Sequence, residues 1–417
     1  MARTDVIVLG AGIVGTSIAL QLVRRGLSVA LIDRGEPGTE TSYGNAGVIE
    51  GHTIFPPGFP SDIGSLLRIA LKRAPEANYH LRFLPQVLPW LWRFRAHSSI
   101  AKMTETAHAM RPLFSQAVAG HEELMLEAGA TRYLRKTGWL KLYRDPKSFA
   151  AQAAEVDLAA RLGVPAEVLD PEGVLAMEPS LRPVFHKAIF WRDAASISNP
   201  LAVTRAYAAR FAAQGGVLLS GDARTLSRSG GHWRVVTDAG ALDADQVVVA
   251  LGPWADDLLR PLGIVLPFGY KRGYHRHFHP QGNASLARPV LDIDRGYLIT
   301  PMEQGIRLTT GAEFAARDAP PTPVQFDRLT PAAQQLFPLG SRADARTWLG
   351  ARPCLPDSRP VIGRAPGHDG LWLAVGHAHW GLTLGPVTGR LIGEMMSGAT
   401  PFCDPTPYRA ERFLTPR

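Results

Sequence analysis

Gly10, Gly12 and Gly15 follow the apolar run Asp5–Leu9 in the order Gly-x-Gly-x-x-Gly, and a stretch with a 3.6-residue period begins beside them at Thr16. In that order the glycines permit a tight turn, a close backbone approach to a pyrophosphate, and a close helix–strand contact. A helix starting there points the N–H groups of Ile13 and Val14, and its positive dipole end, at phosphate. Asp33, with Arg34 beside it, closes a second apolar run eighteen residues after Gly15. A carboxylate there accepts both ribose hydroxyls and disfavours a 2′-phosphate. The pattern specifies a dinucleotide; a tight strand–helix turn without a ligand is the bland alternative.

Three later segments choose among dinucleotides. Thr41–Gly47, containing Ser42, Asn45, Ala46 and Gly47 and followed by Val48, offers small residues and an amide to the edge of a flavin ring, although a plain polar loop has the same composition. Val247–Ala250 runs as a central strand into a turn with Gly252 and Trp254. The loop Gly376–Thr383, with His377, Gly381, Leu382 and Thr383, can aim N–H groups at the pyrimidine carbonyls, where charge gathers on reduction. Together they point to FAD. Non-covalent binding is the default, with Cys354, His52 and His377 as the residues to which a tether would attach.

The elements that must position these groups alternate between periods of two and 3.6 residues. Strands are expected at 5–9, 27–32, 133–143, 216–219, 232–237, 247–250, 270–279, 297–300, 306–309 and 371–375, and helices at 16–25, 100–127, 149–162, 201–214 and 386–396. The fold class is α/β combined with α+β: a Rossmann-type FAD-binding domain with an inserted antiparallel-sheet substrate domain. The boundaries read 1–52, 196–265 and 345–417 for the first, and 53–195 and 266–344 for the second.

With 417 residues, 46% hydrophobic and 20% charged, the chain has material for more than one ordinary core. Two cysteines argue against a disulfide framework and fit a reducing cytoplasm. No signal peptide or spanning segment is legible, and the net charge of +8 is compatible with an Arg-rich surface or with anionic partners. Nothing indicates nucleic acid. Leu66–Arg73 and Phe83–Arg95 mix Trp, Phe and Leu with Arg and Lys, which suits the inner face of an anionic membrane or an amphipathic helix packed on the fold. His275, His277 and His279 share one face of a strand. Without interleaved carboxylates they suggest a basic wall for an anionic substrate, joined by Arg272 and Tyr274, rather than a metal site.

The strings Ser42–Gly47, Arg272–His275, Thr300–Glu303, Gly311–Phe314, Arg352–Gly363 and Gly376–His379 resemble the D-amino-acid oxidase-like (DAO) superfamily of FAD enzymes along essentially the whole chain. The layout is nearest the D-amino-acid dehydrogenase and glyphosate oxidoreductase branch. The resemblance implies oxidation of a C–N bond beside a carboxylate, with hydride passing to flavin N5 and water hydrolysing the imine. It implies a small anionic amine as substrate and a quinone or respiratory-chain acceptor as partner. Arg352 matches the family's carboxylate-binding arginine, a planar fork that lysine does not reproduce; an ion pair with Asp357 is the alternative. Tyr297 falls where relatives place a hydroxyl over the substrate. His379 and His52 are candidates for a second carboxylate contact or for amine deprotonation. Oxidation of a 2-hydroxy acid, and a non-catalytic FAD-binding assembly factor, stay open.

Overall fold

The computed structural model describes residues 2–60 and 62–413. Ala2–Leu9 is the strand before the glycine turn, and Val6, Ile7, Val8 and Leu9 have no exposure to solvent. Burial on both faces requires such an uninterrupted apolar run. The strand pairs in parallel with Val29–Asp33 on one side and Gly240–Val249 on the other. Val217–Ser220 extends the sheet past Val29–Asp33. The free edge of Gly240–Val249 serves two partners, His232–Thr237 antiparallel along its first half and Leu371–Val375 parallel along its second. Eight strands among the described residues make up this sheet.

The helices Ile13–Val23, Pro200–Ala213 and Gly381–Met396 pack into one core cluster against it. The last of these begins at Gly381, five residues before the expected start at Pro386. Proline supplies no N–H to the carbonyl four residues back, and the carbonyl of Leu382 is taken instead by His121 Nε2 at 2.7 Å. The expected helix over 100–127 is two helices, Ile100–Ser115 and Ala117–Glu127, separated at Gln116 one turn after Pro112.

Eleven described strands form a second sheet centred on Gly269–Pro280. Trp348–Cys354 belongs to it, beyond the 266–344 segment the sequence suggested, and pairs antiparallel with Gly269–Pro280 so that Lys271 faces Arg352 and Gly273 faces Gly350. Tyr274 and Phe278 turn to a cluster with Tyr297, Ile299 and residues Phe326, Leu329 and Ala333 of the helix Gln325–Leu336. Lys271 and Gly273 turn the other way, into the space between the sheets. A small sheet of Val48–Ile49, Ala195–Ile197 and Leu134–Arg135 lies beside the junction.

Gly15 shows how tightly the first turn is built. A Cβ added there would stand 1.7 Å from the carbonyl oxygen of Gly10. Gly15→Ala is expected to cost about 3 kcal/mol, as overpacking of backbone does. An unchanged urea midpoint would show that helix and turn do not touch in this way.

Candidate active site

A cleft of about 1270 Å³ runs from the glycine turn, past Asp33 and the 41–48 loop, to Arg352 and Lys271. Its first stretch is braced by short polar contacts. The Ala11 N–H donates to Asp33 Oδ2 at 2.7 Å, and the Gly35 N–H to Oδ1 at 3.0 Å, which sets the carboxylate at the mouth of the turn. Ser42 Oγ accepts the Ile13 N–H at 2.9 Å, tying the 41–48 loop to the start of the helix. A Cβ on Gly12 would meet that oxygen at 3.2 Å. Val14, Ala250 and Gly252 line the same stretch, and the Arg34 guanidinium lies 4.5 Å above the Trp254 ring to close its side. Gly15 does not line the cleft; its task is the contact with Gly10.

Where the two loops meet, the Asn45 amide has a structural task as well. Its Nδ2 donates to the His379 carbonyl at 3.1 Å and its Oδ1 accepts the Gly47 N–H at 2.9 Å, so it clasps the loops together while lining the cleft. Thr383 Oγ1 donates to the Val48 carbonyl at 3.1 Å, another clasp outside the cleft lining. Gly47 adopts φ +80°, open to glycine, and a Cβ there would strike the Ile197 carbonyl at 2.4 Å. Ala46, Val48, His377, Gly381 and Leu382 do line the cleft. His377 contacts Thr388 Oγ1 at 3.0 Å, and burial holds it neutral. The helix starting at Gly381 directs its first-turn amides and positive end at this point.

Two glycine-bordered helix starts, a braced carboxylate and a wide cleft between them fit a dinucleotide carrying a flavin. The residues that would hold FAD are the glycine turn and Asp33 at the pyrophosphate and ribose, and residues 44–48 with 377–382 at the ring. Sequence reading missed the support beneath the 44–48 loop. Arg307 is buried, donates to the carbonyls of Tyr43 and Asn45, and donates Nε–H to His277 Nε2 at 3.0 Å, while His277 Nδ1 faces Asp344 at 2.8 Å. His275 stacks on Trp348 at 4.9 Å. The histidine strand therefore carries the flavin loop from behind and is not a wall for an anionic substrate. Among the described residues no group of histidine, cysteine and carboxylate side chains could hold a metal ion.

At the far end, Arg352 Nη1 donates to the Gly311 carbonyl at 3.3 Å. Asp357 does not pair with it, being engaged by Arg359 at 3.0 Å and Arg412 at 2.8 Å. The His379 imidazole faces the cleft 3.7 Å from Glu50, whose carboxylate also accepts the Trp380 indole N–H at 3.1 Å. Burial, with Arg352, Lys271 and Lys141 nearby, pushes His379 down to about 3, so it enters the site as a neutral hydrogen-bonding group. Burial raises the Glu50 carboxyl.

Three further candidates are tied to groups behind the cleft. Tyr297 borders the cleft, but its hydroxyl donates to the Ala332 carbonyl at 3.2 Å on the helix side of the second sheet. Tyr274 also borders the cleft, while its hydroxyl donates to Glu313 at 2.7 Å and accepts from Arg272 at 3.1 Å within a buried ionic cluster. His52 is fully buried between Trp139 and Trp191, with ring centroids 4.9 and 5.0 Å away. It does not line the cleft.

Comparison with known proteins agrees with this arrangement. A family model described as FAD dependent oxidoreductase (DAO) matches residues 5–395. A D-amino-acid oxidase of Bradyrhizobium diazoefficiens is 30% identical over 98% of this chain and 99% of its own. A D-amino acid dehydrogenase of Rhizobium johnstonii is 32% identical over 96% and 97%. Among solved structures, glycine oxidase from Geobacillus kaustophilus superimposes with a TM-score of 0.77 at 22% identity, covering 100% of both chains. That likeness is one of fold.

Burial holds His121, His277 and His377 each down to about 4, against 6.5 when free. The unfolded chain therefore binds protons that the fold refuses, and stability present above pH 6.5 is lost as pH falls toward 4. Urea midpoints measured between pH 8 and pH 4.5 should fall over that window, with a shallower slope in His121→Gln. An equal slope in that variant would remove His121 from the effect.

Proposed function

The chain belongs to the DAO family of FAD-dependent oxidoreductases, and from that premise we propose that it oxidises the C–N bond of a D-amino acid or an N-substituted amino acid. The observation that carries the reading is Arg352: a guanidinium beside the 377–382 loop that lines the cleft and, among the described residues, has no carboxylate partner. A planar fork left unpaired at the inner end of a flavin cleft matches a substrate carboxylate in two parallel hydrogen bonds. The names of the two curated relatives, a D-amino-acid oxidase and a D-amino acid dehydrogenase, support the amine over a hydroxyl as the reacting group.

The chemistry FAD supplies when bound is acceptance of a hydride from the carbon bearing the amine, after which water hydrolyses the imine to a 2-oxo acid and ammonia or an amine. The chain's own part is to hold the substrate. Arg352 fixes the carboxylate, and the carbonyls of Thr310 and Gly311 hold its guanidinium in place. Neutral His379, kept uncharged by burial and by the cations around it, is able to accept a hydrogen bond from the substrate amine. The aromatic and aliphatic lining from Trp139, Leu291 and Leu298 excludes water from the reacting carbon.

Anaerobic mixing with panels of D-amino acids, N-substituted amino acids and 2-hydroxy acids tests the reading. Bleaching of the flavin by amines and not by hydroxy acids is expected; bleaching by hydroxy acids alone favours the second chemistry, and none at all favours a binding role. Arg352→Ala is expected to weaken substrate binding about 100-fold, as loss of a charge-assisted pair does, with flavin retained. Unchanged kinetics would take Arg352 out of the site.

We further infer that the protein touches an anionic bilayer and passes electrons to a quinone there. No helix among the described residues is long and apolar enough to cross a membrane. The helix Ile63–Ala70 nonetheless exposes Ile63 and Leu67 one turn apart, at 75% and 56%, with Leu71 just beyond at 60%. The helix Leu84–Ala96 exposes Leu88 and Trp92, the latter at 76%, while Val87, Trp90 and Phe94 are buried. Lys72, Arg73, Arg93 and Arg95 flank both, a composition suited to an anionic interface. Co-sedimentation with phosphatidylglycerol vesicles but not phosphatidylcholine vesicles is expected, with loss in Leu67→Asp/Trp92→Asp. Equal recovery with and without vesicles would overturn the contact.

A further inference from the structure

Lys271 and Arg352 are direct cross-strand neighbours on the cleft face of the second sheet. Like charges in that relation repel, and here neither has a carboxylate partner among the described residues. No acidic group contributes to the electrostatic surroundings of either one except the Cys354 thiol, which burial raises. Other charged groups near the cleft are compensated: Lys141 faces Glu155 at 3.4 Å and Arg317 faces Asp257 at 3.0 Å. Arg272, one residue from Lys271 but on the opposite face, sits 3.0 Å from Glu313.

The two uncompensated heads diverge from their adjacent backbones. Arg352 bends over Gly273, whose missing side chain leaves the room: a Cβ there would stand 2.3 Å from Nη2. Lys271 leans the other way, its Nζ 4.1 Å from the Phe94 ring centroid and 5.4 Å from that of Trp90. Alternate residues of one face are ~7 Å apart, so the heads define two separate seats in one cavity. Aromatic rings steady a cation without neutralising it. A substrate with a single carboxylate leaves one half-buried positive charge unmatched, whereas one with two anionic groups satisfies both.

We propose that Lys271 and Arg352 form a two-seat anion clamp, and that the preferred substrate carries a second anionic group, a carboxylate or phosphonate, beyond the carboxylate next to its amine. The proposal rests on the amino-acid oxidation reading for the chemistry, but not for the binding. In the seat, the second anion faces Lys271 while the first faces Arg352, leaving the C–N bond between them.

The experiment is anaerobic flavin reduction by the holoenzyme with matched pairs: D-alanine against D-aspartate and D-glutamate, and N-methylglycine against N-(carboxymethyl)glycine and N-(phosphonomethyl)glycine. The dianionic members should exceed the monoanionic ones by about tenfold in the ratio of reduction rate to dissociation constant. Lys271→Met should collapse that ratio and Lys271→Arg should keep most of it. The ratio is read within one protein, so a general loss of stability does not imitate the effect. No preference in the wild type, or an equal loss for both members in Lys271→Met, overturns the clamp. Titration of the flavin spectrum with non-oxidisable succinate and malonate against acetate and propionate separates the two readings. Tighter dicarboxylate binding that vanishes in Lys271→Met upholds the clamp even where no amine reduces the flavin, and equal binding of both classes overturns it.

Discussion

Backbone-to-backbone contact between the helices Ile13–Val23 and Gly381–Met396 is the constraint on which the site depends. A Cβ on Gly389 would lie 2.6 Å from the Ser17 carbonyl oxygen, and one on Gly385 would lie 3.2 Å from that of Ile13. Only glycine allows so close an approach. The contact joins the two ends of the chain, and it brings both helix starts to one cleft. The glycine turn and the 377–382 loop are positioned by the same packing surface. His121 secures the second helix from behind, accepting from the Tyr207 hydroxyl at 3.0 Å while donating to the Leu382 carbonyl that Pro386 leaves unbonded.

Charge is distributed with equal consistency. Buried ionic groups remote from the cleft are neutralised or hydrogen-bonded to backbone: Arg272 with Glu313, Arg144 with Asp292, Asp357 with two arginines, Arg307 with the loop carbonyls. Burying a charge without a partner is costly, so a pair of cations left open to a cavity marks the place where the partner is a ligand. Arg352 and Lys271 are in that position. The same field adds to burial in lowering the pKa of His379. The anion-binding and hydrogen-bonding roles within the site are thus set by one arrangement of charge.

The support for the flavin loop is a second layer behind the first. Arg307 and His277 on adjacent strands of the second sheet, with Asp344 from the following loop, grip residues 43–45 through backbone carbonyls. The loop's own Asn45 then reaches across to the His379 carbonyl. Position of the ring-facing backbone therefore depends on both sheets, which couples the cofactor end of the cleft to the substrate end.

Much of the nucleotide half was legible in sequence because its signals are local. The glycine spacing at 10, 12 and 15, the apolar strands on either side and Asp33 at the second strand's end all lie within thirty residues, and each obeys a rule of turn, period or helix terminus. The resemblance pointed to Arg352, which lines the cleft. What sequence could not determine was which face of a strand meets the cleft and which strand lies beside it, since a one-residue choice reverses every side chain. The hydroxyls of Tyr274 and Tyr297 and the Arg272 guanidinium turn from the cleft to partners behind it, whereas Lys271, one residue from Arg272, carried no signal and lines it. Lys271 and Arg352 become neighbours only through a pairing between distant strands. His52 follows the flavin loop in the chain yet is enclosed by two tryptophans from other strands. Local chemistry pointed to the nucleotide turn from its own residues, and long-range strand pairing alone decided which charges line the cleft.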